Sequence, residues 1–152
     1  MNLPEPRIVE FINEHHILTL AVSRDNIPWC ATCFYAYLGQ QNQFVFTSDP
    51  ETRHIRDFVN GSQPRVAGTI ALDTRIVGKI RGIQFTGLIR IPDEQELKTA
   101  KSAYLKKFPI ARLMPTLNLW CLEPDHIKMT DNRLGFGKKL TWTGESPETH
   151  AG

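Results

Sequence analysis

The sequence predicts an α+β domain: a closed or nearly closed antiparallel β-barrel with helices at its periphery. Three observations carry this. Six or more segments have strand character and follow one another as meanders, with few helical patterns between them. Turn residues separate the strands, most clearly Asp25-Asn26 and Gly39-Gln40-Gln41-Asn42. Closure is how such a sheet avoids exposed edges.

The elements follow in order. A short helix fits Glu5 to Glu14, with Ile8, Phe11 and Ile12 on one side. Ile17 to Arg24 is a strand. Asp25-Asn26, a pair that tolerates positive φ, turns it into a long return strand, Ile27 to Leu38. A second turn leads into Gln43 to Thr47. Ser48 and Glu51 fit the S-x-x-E capping box, so Ser48 is the expected N-cap of a helix over Glu51 to Asn60. Ile55, Phe58 and Val59 form its apolar face, and Gly61 is its expected stop. Arg65 to Leu72 and Lys79 to Ile91 make a second antiparallel pair. Asp93 and Glu96 cap another helix, with Leu97, Ala100 and Tyr104 inward. Phe108 to Leu113 reads as one helical turn. Leu117 to Leu122, His126 to Thr130 and Lys138 to Thr143 finish the meander. The whole reads as one domain over residues 1–143 with a loose tail at 144–152.

Composition narrows the function. With 152 residues the chain suits one domain with a sizeable core. A net charge of +2 is too weak to argue for a nucleic-acid partner. No apolar run reaches membrane-spanning length, and the N-terminus lacks the basic and apolar regions of a signal peptide. Three cysteines do not suggest a disulfide framework. A reducing, cytoplasmic setting is expected.

Cys30 and Cys33 have C-x-x-C spacing, but residues three apart on a strand point to opposite faces. They cannot share a metal, and small buried hydrophobes is the better account of both. The five histidines show no ligand spacing, so no metal is expected. His15-His16 falls at a helix end, where a cationic side chain helps the last carbonyls. No acid–base pair stands out.

The segment from Gln43 to Arg56 is the best anion site in the chain. A strand feeds a helix N-terminus, with Thr47 and Ser48 ahead of Thr52, Arg53 and His54. An ordinary capped surface helix explains the same residues more simply, because Asp49 and Glu51 already complement the helix dipole. A second signal is Arg81 to Gly87. Gly82 and Gly87 point to a bulge or a close approach. Gly82, Gln84 and Thr86 share a small, polar face that suits either a heteroaromatic ring or water.

Residues along nearly the whole chain, Ile8 to Trp142, carry a family resemblance. They are Trp29-Cys30-Ala31 with Phe34-Tyr35, Thr52-Arg53-His54, Val66-Ala67-Gly68-Thr69, Ile80 to Phe85, Phe108 to Arg112 and Thr130 to Lys139. The chain resembles the bacterial YhbP-like group within the FMN-binding split-barrel superfamily typified by pyridoxamine 5′-phosphate oxidase. The resemblance implies a split β-barrel and a homodimer with FMN in the crevice between protomers. Phe46-Thr47 match the family's aromatic-hydroxyl pair, and Thr52-Arg53-His54 match its Ser-Arg-Lys phosphate motif with His in place of Lys. The implied contacts are Phe46, Thr47, Ser48, Thr52, Arg53 and His54 toward the phosphate. Gln84, Lys138 or Lys139, and Trp142 are implied toward the ring system or its ribityl chain. The group has no assigned reaction, and the oxidase's substrate residues are not recognisable here. A flavin-dependent oxidoreductase is the leading expectation, and a haem or other small-ligand binder on the same dimer is the alternative.

Overall fold

The computed structural model describes residues 2–59 and 65–145. Seven strands form one antiparallel sheet: β1 (Ile17–Arg24), β2 (Ile27–Leu38), β3 (Gln43–Thr47), β4 (Arg65–Ala71), β5 (Arg81–Arg90), β6 (Leu119–Asp131) and β7 (Lys139–Thr143). Their order is β3-β2-β1-β4-β5-β6-β7, and an extra pairing of β3 with β6 closes the first six into a barrel. β7 stands outside that ring, hydrogen-bonded to β6 alone. This is the α+β split barrel that the sequence predicts, with helices α1 (Pro6–Glu14), α2 (Arg53–Val59) and α3 (Glu94–Lys107) around it.

The turn residues act as expected. Asp25 and Asn26 have φ of 51° and 62°, as a tight two-residue hairpin turn requires. β3 is buried on both faces: Phe44 and Phe46 point into the barrel, and Val45 points at α3. α1 begins with Pro6 in the first turn and buries Ile8, Phe11 and Ile12 completely or nearly so. Each such side chain contributes roughly 1.5–3 kcal/mol. The Tyr35 hydroxyl donates to the Ile12 carbonyl at 2.6 Å, tying the helix end to β2. His15 Nδ1 donates to the Phe11 carbonyl at 2.8 Å, the helix-end role expected of it. Gly68 faces inward, where a Cβ would collide with the ring of Phe85. That ring stacks on Phe44 at 5.0 Å.

Several expectations need correction. The segments 117–122 and 126–130 are one strand, β6, which runs through Pro124. Its register against β5 shifts between Thr86 and Gly87, the bulge that Gly87 signals. A Cβ on Gly87 would run into the Glu123 carbonyl, so only glycine lets the two backbones approach. Leu97, expected inward, is 40% exposed, and α3 buries only Ala100 and Tyr104. The strand that begins at Lys79 begins instead at Arg81, after a 3-10 turn over Val77–Lys79. Cys30 and Cys33 lie on opposite faces as argued. Cys33 is buried, but Cys30 is exposed and so is not a core residue. The expected helix stop at Gly61, and the tail beyond Glu145, fall outside the described residues. Gly144 donates to the Asp125 carbonyl at 2.9 Å.

The Asp93–Glu96 capping box forms as read from the sequence. Glu96 also takes a two-pronged contact from Arg90, at 2.6 and 2.5 Å. The Arg90 guanidinium holds the Glu96 carboxyl down at about 2. A carboxylate whose folded pKa is depressed adds stability above its unfolded pKa and loses it as pH falls through the folded value. Stability is therefore expected to drop between about pH 4.5 and pH 2. Glu96→Gln keeps a cap acceptor and removes the charge. Urea unfolding of this variant should show a loss of about 1 kcal/mol at pH 7, the upper scale for a partly exposed pair, shrinking toward zero at pH 2. A constant loss at every pH would show that the charge is not the cause.

Candidate functional site

Two sets of residues stand out, on opposite sides of β2. The first lies where β3 runs into α2. Ser48 stays in register with β6: its amide donates to the Asn118 carbonyl at 3.4 Å, and its own carbonyl accepts from Trp120 Nε1 at 2.9 Å. The expected Ser48–Glu51 capping box therefore does not form. Asp49 Oδ1 accepts from the Glu51 amide at 2.8 Å instead, and the first helical bond runs from the Arg56 amide to the Thr52 carbonyl at 2.9 Å. The turn delays the helix start to Arg53.

That delay brings Ser48, Thr52 and His54 together. Ser48 Oγ and His54 Nε2 form a short hydrogen bond, and Thr52 Oγ1 lies 3.4 Å from each of them. Thr52 Oγ1 donates to the Asp49 carbonyl at 2.7 Å. His54 is buried, and burial pushes its pKa down against the weaker opposing pull of Asp57. Its imidazole is thus neutral at pH 7 and positions hydroxyls rather than supplying charge. Thr47 Oγ1 is 3.1 Å from the Tyr104 hydroxyl. Phe46 is fully buried in the barrel, so its ring belongs to the core.

Arg53 supplies the cation. Its guanidinium lies over the Trp29 ring, 4.3 Å from the centroid, and its Nε is 3.7 Å from Asp57 Oδ2. Trp29 and Asp57 hold the planar group still. Among the described residues Nη1 and Nη2 make no hydrogen bond, which leaves one edge of the fork open for an anion.

The second set lies on the outer face of the sheet. Register aligns Cys30, Ala21, Ala67, Thr86 and His126 in one row across β2, β1, β4, β5 and β6. Thr32, Thr19, Thr69, Gln84 and Lys128 form the next row. Because these side chains are small, the face sinks into a depression of about 370 Å³ with Gln84, His126 and Lys128 along one side. Lys139 joins this face: its Nζ donates to Thr130 Oγ1 at 2.8 Å. Lys138 lies elsewhere, beside Glu5, Arg7 and Leu140. Trp142 packs against the barrel core on the opposite face. Its Nε1 is buried without a partner among the described residues. Of the candidate ring contacts, the structure thus brings Gln84 and Lys139 to one face, and leaves Lys138 and Trp142 away from it.

Sequence reasoning missed Trp29 as the platform for Arg53, and missed Thr19, Thr69, His126 and Lys128 as neighbours of Gln84. The polar alternation of each strand was visible, but only register shows which strands lie side by side. No group of three or more metal-ligating side chains occurs among the described residues, and none of their helices is long and apolar enough to cross a membrane.

The chain is 39% identical over 144 residues to UPF0306 protein YhbP of Salmonella arizonae, covering 95% of this chain and 96% of that one. It belongs to the UPF0306 (YhbP) family. No family model matches the chain. Among solved structures, it superposes on a haem-binding protein from Mycobacterium smegmatis with a TM-score of 0.74 and 20% identity. That match covers 89% of this chain and 55% of the other. An FAD-binding protein from the same organism matches with a TM-score of 0.64 and 11% identity, over 92% of this chain and 98% of that one. The family thus shares the split-barrel fold with proteins that bind flavin and proteins that bind haem.

The neutral His54 has a measurable consequence. A histidine whose folded pKa is depressed binds fewer protons folded than unfolded. Its contribution to stability is present above the unfolded value near 6.5 and is lost as pH falls below it. Between pH 7.5 and pH 5 the wild type should lose stability that His54→Gln does not lose. Denaturant midpoints at the two pH values measure this, and equal losses in both proteins would show that His54 is not held neutral.

Proposed function

We propose that this protein is a homodimeric FMN-binding protein that supports redox chemistry on a small substrate. The observation that carries the reading is the depression on the outer sheet face. A flat ring system needs a broad wall of small side chains, and Thr19, Ala21, Ala67, Thr69 and Gln84 offer one at a volume within the range of small-molecule sites. Gln84 and Lys128 provide hydrogen bonds along its side. When bound, the flavin supplies the electron transfer, while the protein supplies position and electrostatics.

The phosphate end fits Arg53, with Thr52 and Ser48 as hydroxyl partners arranged by neutral His54. This set carries one fixed cation where the superfamily's motif carries two. Arg53 and the depression flank opposite faces of β2, so a single ligand is best shared between two protomers. This supports the dimer. Haem is the second reading, and one observation favours it. His126 lines the depression, and imidazole is a common axial ligand of haem iron.

Titration by flavin fluorescence quenching tests the first reading. Arg53→Ala should weaken FMN binding about ten- to a hundredfold, the loss of one charge-assisted phosphate contact worth roughly 1.5–3 kcal/mol. Arg56→Ala, nearly one helical turn further on, should change it less. Equal affinities for wild type and both variants would remove Arg53 from the site. A Soret band on adding haemin, abolished by His126→Ala, with no response to FMN, would favour the second reading. Sedimentation as a monomer at micromolar concentration would defeat the dimer.

A further inference from the structure

A cavity of about 360 Å³ lies between α1, the start of β5 and the 3-10 turn over Asn132–Leu134. Three arginines line it: Arg7 from α1, Arg81 from β5 and Arg133 from the turn. Glu10, Glu14 and the apolar Leu134 line it as well. Arg7, Glu10 and Glu14 follow one another at spacings of three and four, so they share one face of α1. Arg81 is the most buried of these charges. Its side chain is only 14% exposed, with Cζ 5.4 Å from the centroid of the Phe11 ring. Nη1 donates to Glu14 Oε2 at 3.1 Å. Among the described residues Nε is buried without a partner, and Nη2 makes no hydrogen bond. A guanidinium so far from water costs free energy until acceptors join it.

Arg133 turns Nε and Nη2 to the fully buried Asp131, at 3.0 and 2.8 Å, and its Nη1 makes no hydrogen bond among the described residues. Its pKa is raised, chiefly by Asp131 and more weakly by Glu14 and Glu10, so both α1 carboxylates lie close to it. Arg7 and Glu10 are exposed and form no ion pair among the described residues. Glu14 thus offsets Arg81, Asp131 offsets Arg133, and Arg7 and Glu10 balance each other without pairing. The cavity is neutral as a whole, yet it keeps open guanidinium edges and an open carboxylate together. A lone anion would meet Glu10 and Glu14, and a lone cation would meet the arginines. A ligand that carries both charges escapes both repulsions. We propose that this cavity binds a small zwitterion, an α-amino acid with an apolar side chain. The carboxylate sits on the open edges of Arg81 and Arg7, the ammonium faces Glu10, and the side chain lies on Leu134. The volume is within the range of small-molecule sites. The cavity shares no residue with the outer-face depression or with the Arg53 set, so it stands or falls apart from the flavin reading.

Calorimetric titration of the full chain with L-leucine tests this. The controls are isocaproate, which lacks the ammonium, and isoamylamine, which lacks the carboxylate. Leucine should bind about tenfold or more tightly than either, the worth of one charge-assisted contact. Arg7→Ala and Glu10→Gln alter exposed side chains without an ion pair, so both variants should fold as wild type does. Each should weaken leucine binding about tenfold or more. In Glu10→Gln, leucine should fall to the affinity of isocaproate, and isocaproate itself should bind no more weakly than to wild type. Isocaproate binding wild type as tightly as leucine would overturn the proposal, and so would a leucine affinity that neither variant lowers. A loss in Arg7→Ala alone would mark a plain anion site, and a loss in Glu10→Gln alone a plain cation site; either overturns the zwitterion. Absence of binding by leucine, isoleucine, valine and methionine would remove the site altogether.

Discussion

The structure depends on one strand serving three partners. β6 pairs with β5 along most of its length, closes the barrel against β3 through Leu119 to Leu122, and carries β7 on His126 to Thr130. β3 and β7 follow one another along the same edge of β6, so the strand must turn between them. Pro124, which has no amide to donate, sits at that turn, and the bulge opposite it requires glycine at 87. Without the turn, the barrel would stay open at β3 or β7 would have no edge to join.

Closure also decides which side chains are left for function. Large residues of every barrel strand turn inward, where Phe44 and Phe85 stack and Gly68 makes room for them. Small and polar residues of β1, β2, β4, β5 and β6 turn outward and line up by register. α1 closes the barrel beside Tyr35, and α3 covers the outer surface only around Ala36, Val45 and Cys121, which leaves the rows through Ala21, Thr19 and Gln84 lining the depression. The outer face is therefore the part of the sheet free to take a ligand or a second chain.

At the other set, the chemistry follows from burial. His54 is enclosed, and burial lowers its pKa, so it meets Ser48 and Thr52 through hydrogen bonds rather than as a cation. Charge is left to Arg53, which Trp29 and Asp57 orient from two sides.

The sequence by itself determined the local elements. Alternation marked the strands, Asp25-Asn26 marked its hairpin, and Asp93 with Glu96 marked a helix start, because each of these signals acts within a few residues. It also determined that Cys30 and Cys33 face apart and that Gly87 marks an irregular strand. Only the tertiary structure decided the rest. Ser48 matched a cap pattern as well as Asp93 did, yet Trp120 and Asn118, some seventy residues away, hold its backbone in the sheet. Arg53 on Trp29, and Gln84 beside Thr69 and Lys128, are neighbours by strand register and helix placement. Register is set by the packing of the whole barrel, a long-range balance that no local pattern in the chain records.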